Sequence, residues 1–343
     1  MKKHFLLLAS ILLLAMMTFL TGCGSSAKDE APKKATKVIL GDAGWDSLKF
    51  HNAVVSFIAK NGYGLESEIM NGSTPIIQTA LIRGDLDVLV ESWTDNIPKY
   101  DKELKAKKFV ELGVNFDDNK QGFYVPRYVI EGDAKRGIKA VAPDLKTVED
   151  LKKYSHVFVD EEETSKGRIY GAIPGWGIDE VLFDKYKYYG LDKTYNYFRP
   201  GSSATLSASF MKAYQQGKPI VGYAWEPTWL SGKLDIVLLK DAPYNKEDFK
   251  KGATEIPSVR VTVTASNKFA KSNPDFCEFL AKYHTSSEFT AKALAYIMDN
   301  KVNYDVAAVH FMKANEDLVK SWMPADKFAK VKKALDESKK GVE

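Results

Sequence analysis

The 343-residue chain holds only two cysteines, Cys23 and Cys277, and five scattered histidines. Two cysteines are too few for a disulfide-stapled scaffold. The histidines (His4, His51, His156, His284 and His310) form neither a His-Glu-x-x-His motif nor any paired metal-ligand spacing. A Gly-x-Ser-x-Gly elbow and a Walker loop are both missing, and the glycine pairs Gly62/Gly64 and Gly175/Gly177 lack the third glycine of a dinucleotide fingerprint. An excess of one charge is missing too. With 49 basic and 45 acidic residues the net charge is +4, too little for the basic face that a nucleic acid needs. After residue 23 no apolar run approaches the ~20 residues of a spanning helix. These absences argue against an enzyme, a metalloprotein, a cofactor carrier and a nucleic-acid binder. What is present is a globular composition, 45% hydrophobic and 12% aromatic, long enough for about two domains.

The N-terminus reads as an address. Lys2 and Lys3 precede a largely apolar stretch, 5–20, which suits a secretory leader better than a spanning helix. A short uncleaved membrane anchor is the competing reading. Leu20-Thr21-Gly22-Cys23 resembles the lipobox of bacterial lipoproteins, which implies loss of residues 1–22 and a lipid on the Cys23 sulfur. Cys277 then has no partner within the chain, and the helical pattern around it reads as a small buried hydrophobe. Residues 23–36, rich in Ser, Ala, Pro, Lys and Asp, read as a flexible tether. The expected place is the extracytoplasmic face of a bacterial membrane, held there by lipid.

Further on, short β-like runs alternate with helical patterns. Strand signals at 37–40, 65–70 and 87–90 enclose helical patterns at 48–60 and 75–83. The same grammar restarts with strands at 156–159, 195–199, 219–223 and 235–239 and helices at 178–189 and 203–215. A strand-like run at 259–264 is followed by helical patterns to the end. Such alternation indicates parallel β-α-β units. Two units suggest two α/β lobes, with crossings at 123–128 and 257–264 and a ligand cleft between them.

Three of the six tryptophans stand just past strand-like runs: Trp45, Trp93 and Trp225. Ligands of open parallel sheets bind beyond the carboxyl ends of strands, and Trp is the best aromatic face for a cation. A quaternary ammonium group has no N–H to donate, so ring faces and shape are what can hold it. Core packing is the competing reading for each ring. Pro174-Gly175-Trp176-Gly177-Ile178-Asp179 precedes the 178–189 helix, and free N–H groups at a helix start make a carboxylate site. An ordinary glycine-rich helix entry accounts for it equally well, and Trp176 either stacks on a ligand or covers the turn. The acidic run Asp160-Glu161-Glu162-Glu163 reads as a solvated loop rather than a cation site.

Together these segments resemble the substrate-binding lipoproteins of glycine betaine and related quaternary-amine ABC transporters. The resemblance spans about residues 37–322. It rests on Gly44-Trp45-Asp46-Ser47, Gly84-Asp85-Leu86-Asp87 leading to Trp93, Tyr124-Val125-Pro126-Arg127-Tyr128, Pro174-Gly175-Trp176-Gly177-Ile178 and Trp225-Glu226-Pro227-Thr228-Trp229. It implies a two-lobed class II periplasmic-binding-protein fold with a hinged cleft. It also implies a tryptophan prism of Trp45, Trp93 and Trp225, a carboxylate held by the N–H groups of Gly177 and Ile178, Tyr124 as a further cage residue, and a membrane permease as partner. The expected division is 37–127 with 262–343 as the first lobe and 128–261 as the second.

The sequence departs from the family pattern in places. Pro98 stands where some betaine binders have a histidine, and Trp176 is bulky where relatives often have a small residue. Glu226 and Asp46 flank two cage tryptophans, and if they face the cleft they favour a cation such as choline over a zwitterion. Capture of a betaine-type osmolyte for import is therefore the leading expectation. Choline or carnitine capture, a ligand sensor feeding a membrane receptor, and an exported enzyme are the alternatives.

Overall fold

The computed structural model describes residues 36–338. The expected leader at 1–22 and Cys23 lie outside the described residues, as does the tether apart from Thr36. No helix among the described residues is long and apolar enough to cross a membrane.

Two five-stranded sheets carry the fold. The first contains β1 (Lys37–Asp42), β2 (Glu66–Asn71), β3 (Val88–Trp93), β4 (Val110–Phe116) and β10 (Val261–Ala265), in the order β2-β1-β3-β10-β4. The second contains β5 (Lys120–Pro126), β6 (Gly167–Tyr170), β7 (Tyr195–Phe198), β8 (Gly222–Glu226) and β9 (Ile236–Leu238), in the order β7-β6-β8-β5-β9. Both follow one plan. Three strands run parallel, and the fourth, β10 or β5, is antiparallel to its neighbours and is the strand that follows a crossing from the other sheet.

β3 shows why its sheet is a core. All six of its residues are buried, the near-continuous pattern of a strand covered on both faces. The helix Asp46–Ile58 buries Leu48, Val54, Val55 and Ile58, and the helix Thr74–Arg83 has Pro75 in its first turn and stops at Gly84, whose φ of 78° is left-handed. Cys277 is buried and unpaired, and burial pushes its thiol up to about 12. Most C-terminal helices pack on the first sheet's lobe. The helix Ser287–Asn300 also reaches the short helix Trp229–Lys233 of the second lobe, with an ion pair between Lys233 and Asp299.

The first crossing differs from the expected one. Residues 123–126 hydrogen-bond within the second sheet as part of β5, so the chain changes lobes one strand earlier, between Phe116 and Lys120. The return lies between Leu238 and Val261. Asn119 ties the two connections together: its Nδ2 donates to the Val259 carbonyl and its Oδ1 accepts from the Val259 N–H at 2.9 Å. The run 156–159 is a turn with one isolated bridge, Val159 to Gly167, and the strand is β6 instead. Val159 is 47% exposed there, so its side chain joins no core.

Candidate functional site

One pocket of about 500 Å³, counting the space open at its mouth, lies where the carboxyl ends of β1, β3 and β8 face the start of the helix Gly177–Tyr188. Trp45 follows the turn after β1, Trp93 ends β3, Trp225 lies near the end of β8, and all three line the pocket. Each is 7% exposed. Trp176 also lines it. Its ring stands edge-to-face against both Trp45 (5.5 Å between centroids) and Trp225 (5.3 Å), and its Nε1–H donates to the Ala43 carbonyl at 2.9 Å. Since Trp176 belongs to the second lobe and Ala43 to the first, that bond closes the cleft from both sides. Thr74 N–H donating to the Gly175 carbonyl at 3.1 Å does the same.

Gly177 and Ile178 open the helix and line the pocket. As its first two residues they find no acceptor within the helix, so their N–H groups present the positive end of its dipole. Gly177 is also a contact between lobes: a Cβ built on it would lie 1.8 Å from the Asn96 carbonyl oxygen. Only a residue without a side chain lets that carbonyl approach so closely.

Three expected site residues are corrected by register. Asp46 lies outside the pocket lining and accepts a hydrogen bond from Tyr304 Oη at 2.8 Å, because the helix turns it away from the face Trp45 occupies. Glu226 follows Trp225 in β8, and strand alternation sends the two to opposite faces. Tyr124 pairs with Gly222, not with Tyr223 or Trp225, so it too lies on the face opposite Trp225. Its hydroxyl is buried with no hydrogen bond among the described residues, and its phenol is raised by burial and by the nearby Glu226 charge.

Sequence reasoning missed Tyr223 and Glu91, both of which line the pocket. Tyr223 stacks on Trp225 at 5.3 Å and 14°, and its hydroxyl donates to Gln121 Oε1 at 3.2 Å. Glu91 is fully buried in β3, and its Oε2 accepts from Trp45 Nε1 (2.6 Å), Trp93 Nε1 (3.2 Å) and Ser47 Oγ (3.1 Å). Burial pushes its carboxyl up to about 7 against the lowering effect of those three bonds. Beside it His51 Nε2 lies 3.4 Å from Oε1, and burial holds that imidazole down at about 3, hence neutral. Each missed residue stands two positions before a pocket tryptophan on the same strand, which the two-residue period places on the same face. Asn96 and Thr74 add polar groups to the wall.

Residues 36–314 match the family described as the substrate binding domain of ABC-type glycine betaine transport system. This chain belongs to that family. A relative, the glycine betaine-binding periplasmic protein of Dickeya dadantii (strain 3937), is 26% identical over 293 residues, 79% of this chain and 83% of its own length. Lactococcal OpuAC, solved closed and complexed with glycine betaine, matches with a TM-score of 0.67 at 21% identity over 84% of this chain and 100% of its own. An ABC-transporter choline binding protein in complex with choline matches at 0.70 and 19% over 88% of this chain and 98% of its own. At those identities the two structures speak for the two-lobed fold. The family is one of transport substrate-binding domains, in keeping with the missing catalytic motifs.

Proposed function

We propose that this protein captures a small quaternary-ammonium zwitterion of the glycine betaine kind outside the cytoplasm and delivers it to an ABC permease. The observation that carries the reading is one pocket that unites four tryptophans with two free N–H groups at a helix start. The rings of Trp45, Trp93 and Trp225 take the trimethylammonium group, each contact contributing about 0.5–2 kcal/mol, the upper end when desolvated. The Gly177 and Ile178 N–H groups take the carboxylate. Trp176 completes the ring wall between Trp45 and Trp225. Family membership supports the permease, and the leader and lipobox support a lipid anchor on Cys23 at the extracytoplasmic face. The lobes 36–116 with 261–338 and 120–238 close on the ligand about the paired connections at Asn119 and Val259.

Choline is the second reading, favoured by the Glu91 carboxylate in the wall. Calorimetric titration with glycine betaine, proline betaine, carnitine and choline separates the two. Saturable 1:1 binding of glycine betaine, at least tenfold tighter than choline, is the expected result. Tighter choline binding would reassign the ligand to a cation, and no binding of any of the four would overturn the proposal.

A further inference from the structure

A fully buried carboxylate in the middle of a core strand is costly unless its charge and lone pairs are matched. Glu91 is such a group, with all six residues of its strand buried. Every hydrogen bond it accepts falls on one oxygen, Oε2, and two of the three donors are pocket indoles. Its other oxygen, Oε1, has no hydrogen bond among the described residues.

The charges around it do not balance it. From the helix Asp46–Ile58 comes His51, which burial keeps neutral and whose Nδ1 is engaged with Tyr283 Oη at 2.7 Å. From β1 comes Asp42, a second negative group that raises the Glu91 carboxyl further. Tyr283 is itself raised by burial and by the Glu91 charge, and so stays a neutral phenol. Among the described residues no lysine or arginine pairs with Glu91, whose one ion-pair neighbour is His51. Once ionised, Glu91 thus gives the pocket wall a negative charge without a protein counter-charge.

We infer that Glu91 is the positioning residue of the cage: it fixes the Trp45 and Trp93 indoles by their N–H groups and supplies the negative charge that selects a quaternary nitrogen over a quaternary carbon of the same shape. The inference rests on the proposed function, since it assumes that a trimethylammonium group enters this pocket. Cation–π contact and shape serve both jobs in part, but ring faces attract a cation only modestly, whereas a carboxylate in a low-dielectric wall acts more strongly. An ionised Glu91 also polarises the two indoles through their N–H groups, which makes their faces more negative.

The test compares glycine betaine with its carbon isostere, 3,3-dimethylbutanoate, by calorimetry on the wild type and on Glu91→Gln, at pH 8 and pH 6. The wild type should prefer glycine betaine by more than tenfold at pH 8. Because its carboxyl is raised towards neutrality, Glu91 takes up a proton on acidification, so wild-type affinity for glycine betaine should fall severalfold from pH 8 to pH 6. Glu91→Gln keeps an acceptor oxygen for the indoles. It should lose at least tenfold for glycine betaine, change less than threefold for the isostere and show no fall over that pH range. Equal losses for both ligands, or a wild-type affinity that is flat in pH with no preference for nitrogen, would overturn the inference while leaving the pocket's ligand class intact. The wild-type comparison stands even if the variant does not fold. A wild type that binds neither compound would overturn the proposed function and this inference with it.

Discussion

Trp93 shows how one residue belongs to both the core and the pocket. It packs edge-to-face on Phe116 at 5.8 Å, donates to Glu91, and still lines the cavity. Truncation therefore removes a ring contact and an anchor of the carboxylate together. Trp93→Ala should weaken glycine betaine binding by more than tenfold while the circular dichroism and a cooperative melt are retained; a variant that is unfolded would return Trp93 to core packing. The same dual role explains what was legible at this scale. The tryptophans announced themselves because large rings at strand ends are uncommon and chemically pointed. Glu91 did not, because a carboxylate inside an apolar run reads from sequence as an interruption of the strand, and only its burial reveals otherwise. Asp46 and Glu226 misled for the opposite reason: adjacency in sequence is not adjacency in space where side chains alternate.

The elements were read by their hydrophobic periods, and those with a strong period came through. The helical pattern at 178–189 became Gly177–Tyr188, and the one at 203–215 became Ser203–Gln216. β6 was missed because Gly167–Tyr170 is four residues long and only half its residues are buried, too short for alternation to stand out. The run 123–128 was read as a connection because a polar stretch follows it, yet Pro126 is the last residue of β5 and pairs with Ile236 on the β9 side. The helix start at Gly177 is where element geometry meets binding. A methyl group there would have to occupy the place of the Asn96 carbonyl oxygen, so Gly177→Ala holds the lobes apart and displaces the free N–H groups. We expect at least a tenfold loss of affinity with an unchanged melting temperature of the ligand-free protein, measured by calorimetry and thermal unfolding. Full affinity in this variant would show that the helix start does not contact the ligand.

At the scale of the molecule, the two sheets repeat one strand order and exchange one strand's worth of chain at each crossing. That arrangement brings the carboxyl ends of parallel strands from both lobes to a common cleft, as a topological switch point does. The two-lobed plan was legible because the β-α-β grammar stops and restarts. The place of the first crossing was not, since a three-residue connection, Asp117 to Asn119, carries no compositional mark. Bonds between Trp176 and Ala43, between Thr74 and Gly175, and between Asn96 and Gln121 hold the lobes together over the pocket. The most direct test of the account is a crystal structure of the protein grown with glycine betaine. The trimethylammonium group should lie among Trp45, Trp93 and Trp225, with the carboxylate on the Gly177 and Ile178 N–H groups. A ligand bound elsewhere, or with its carboxylate turned towards Glu91, would contradict it.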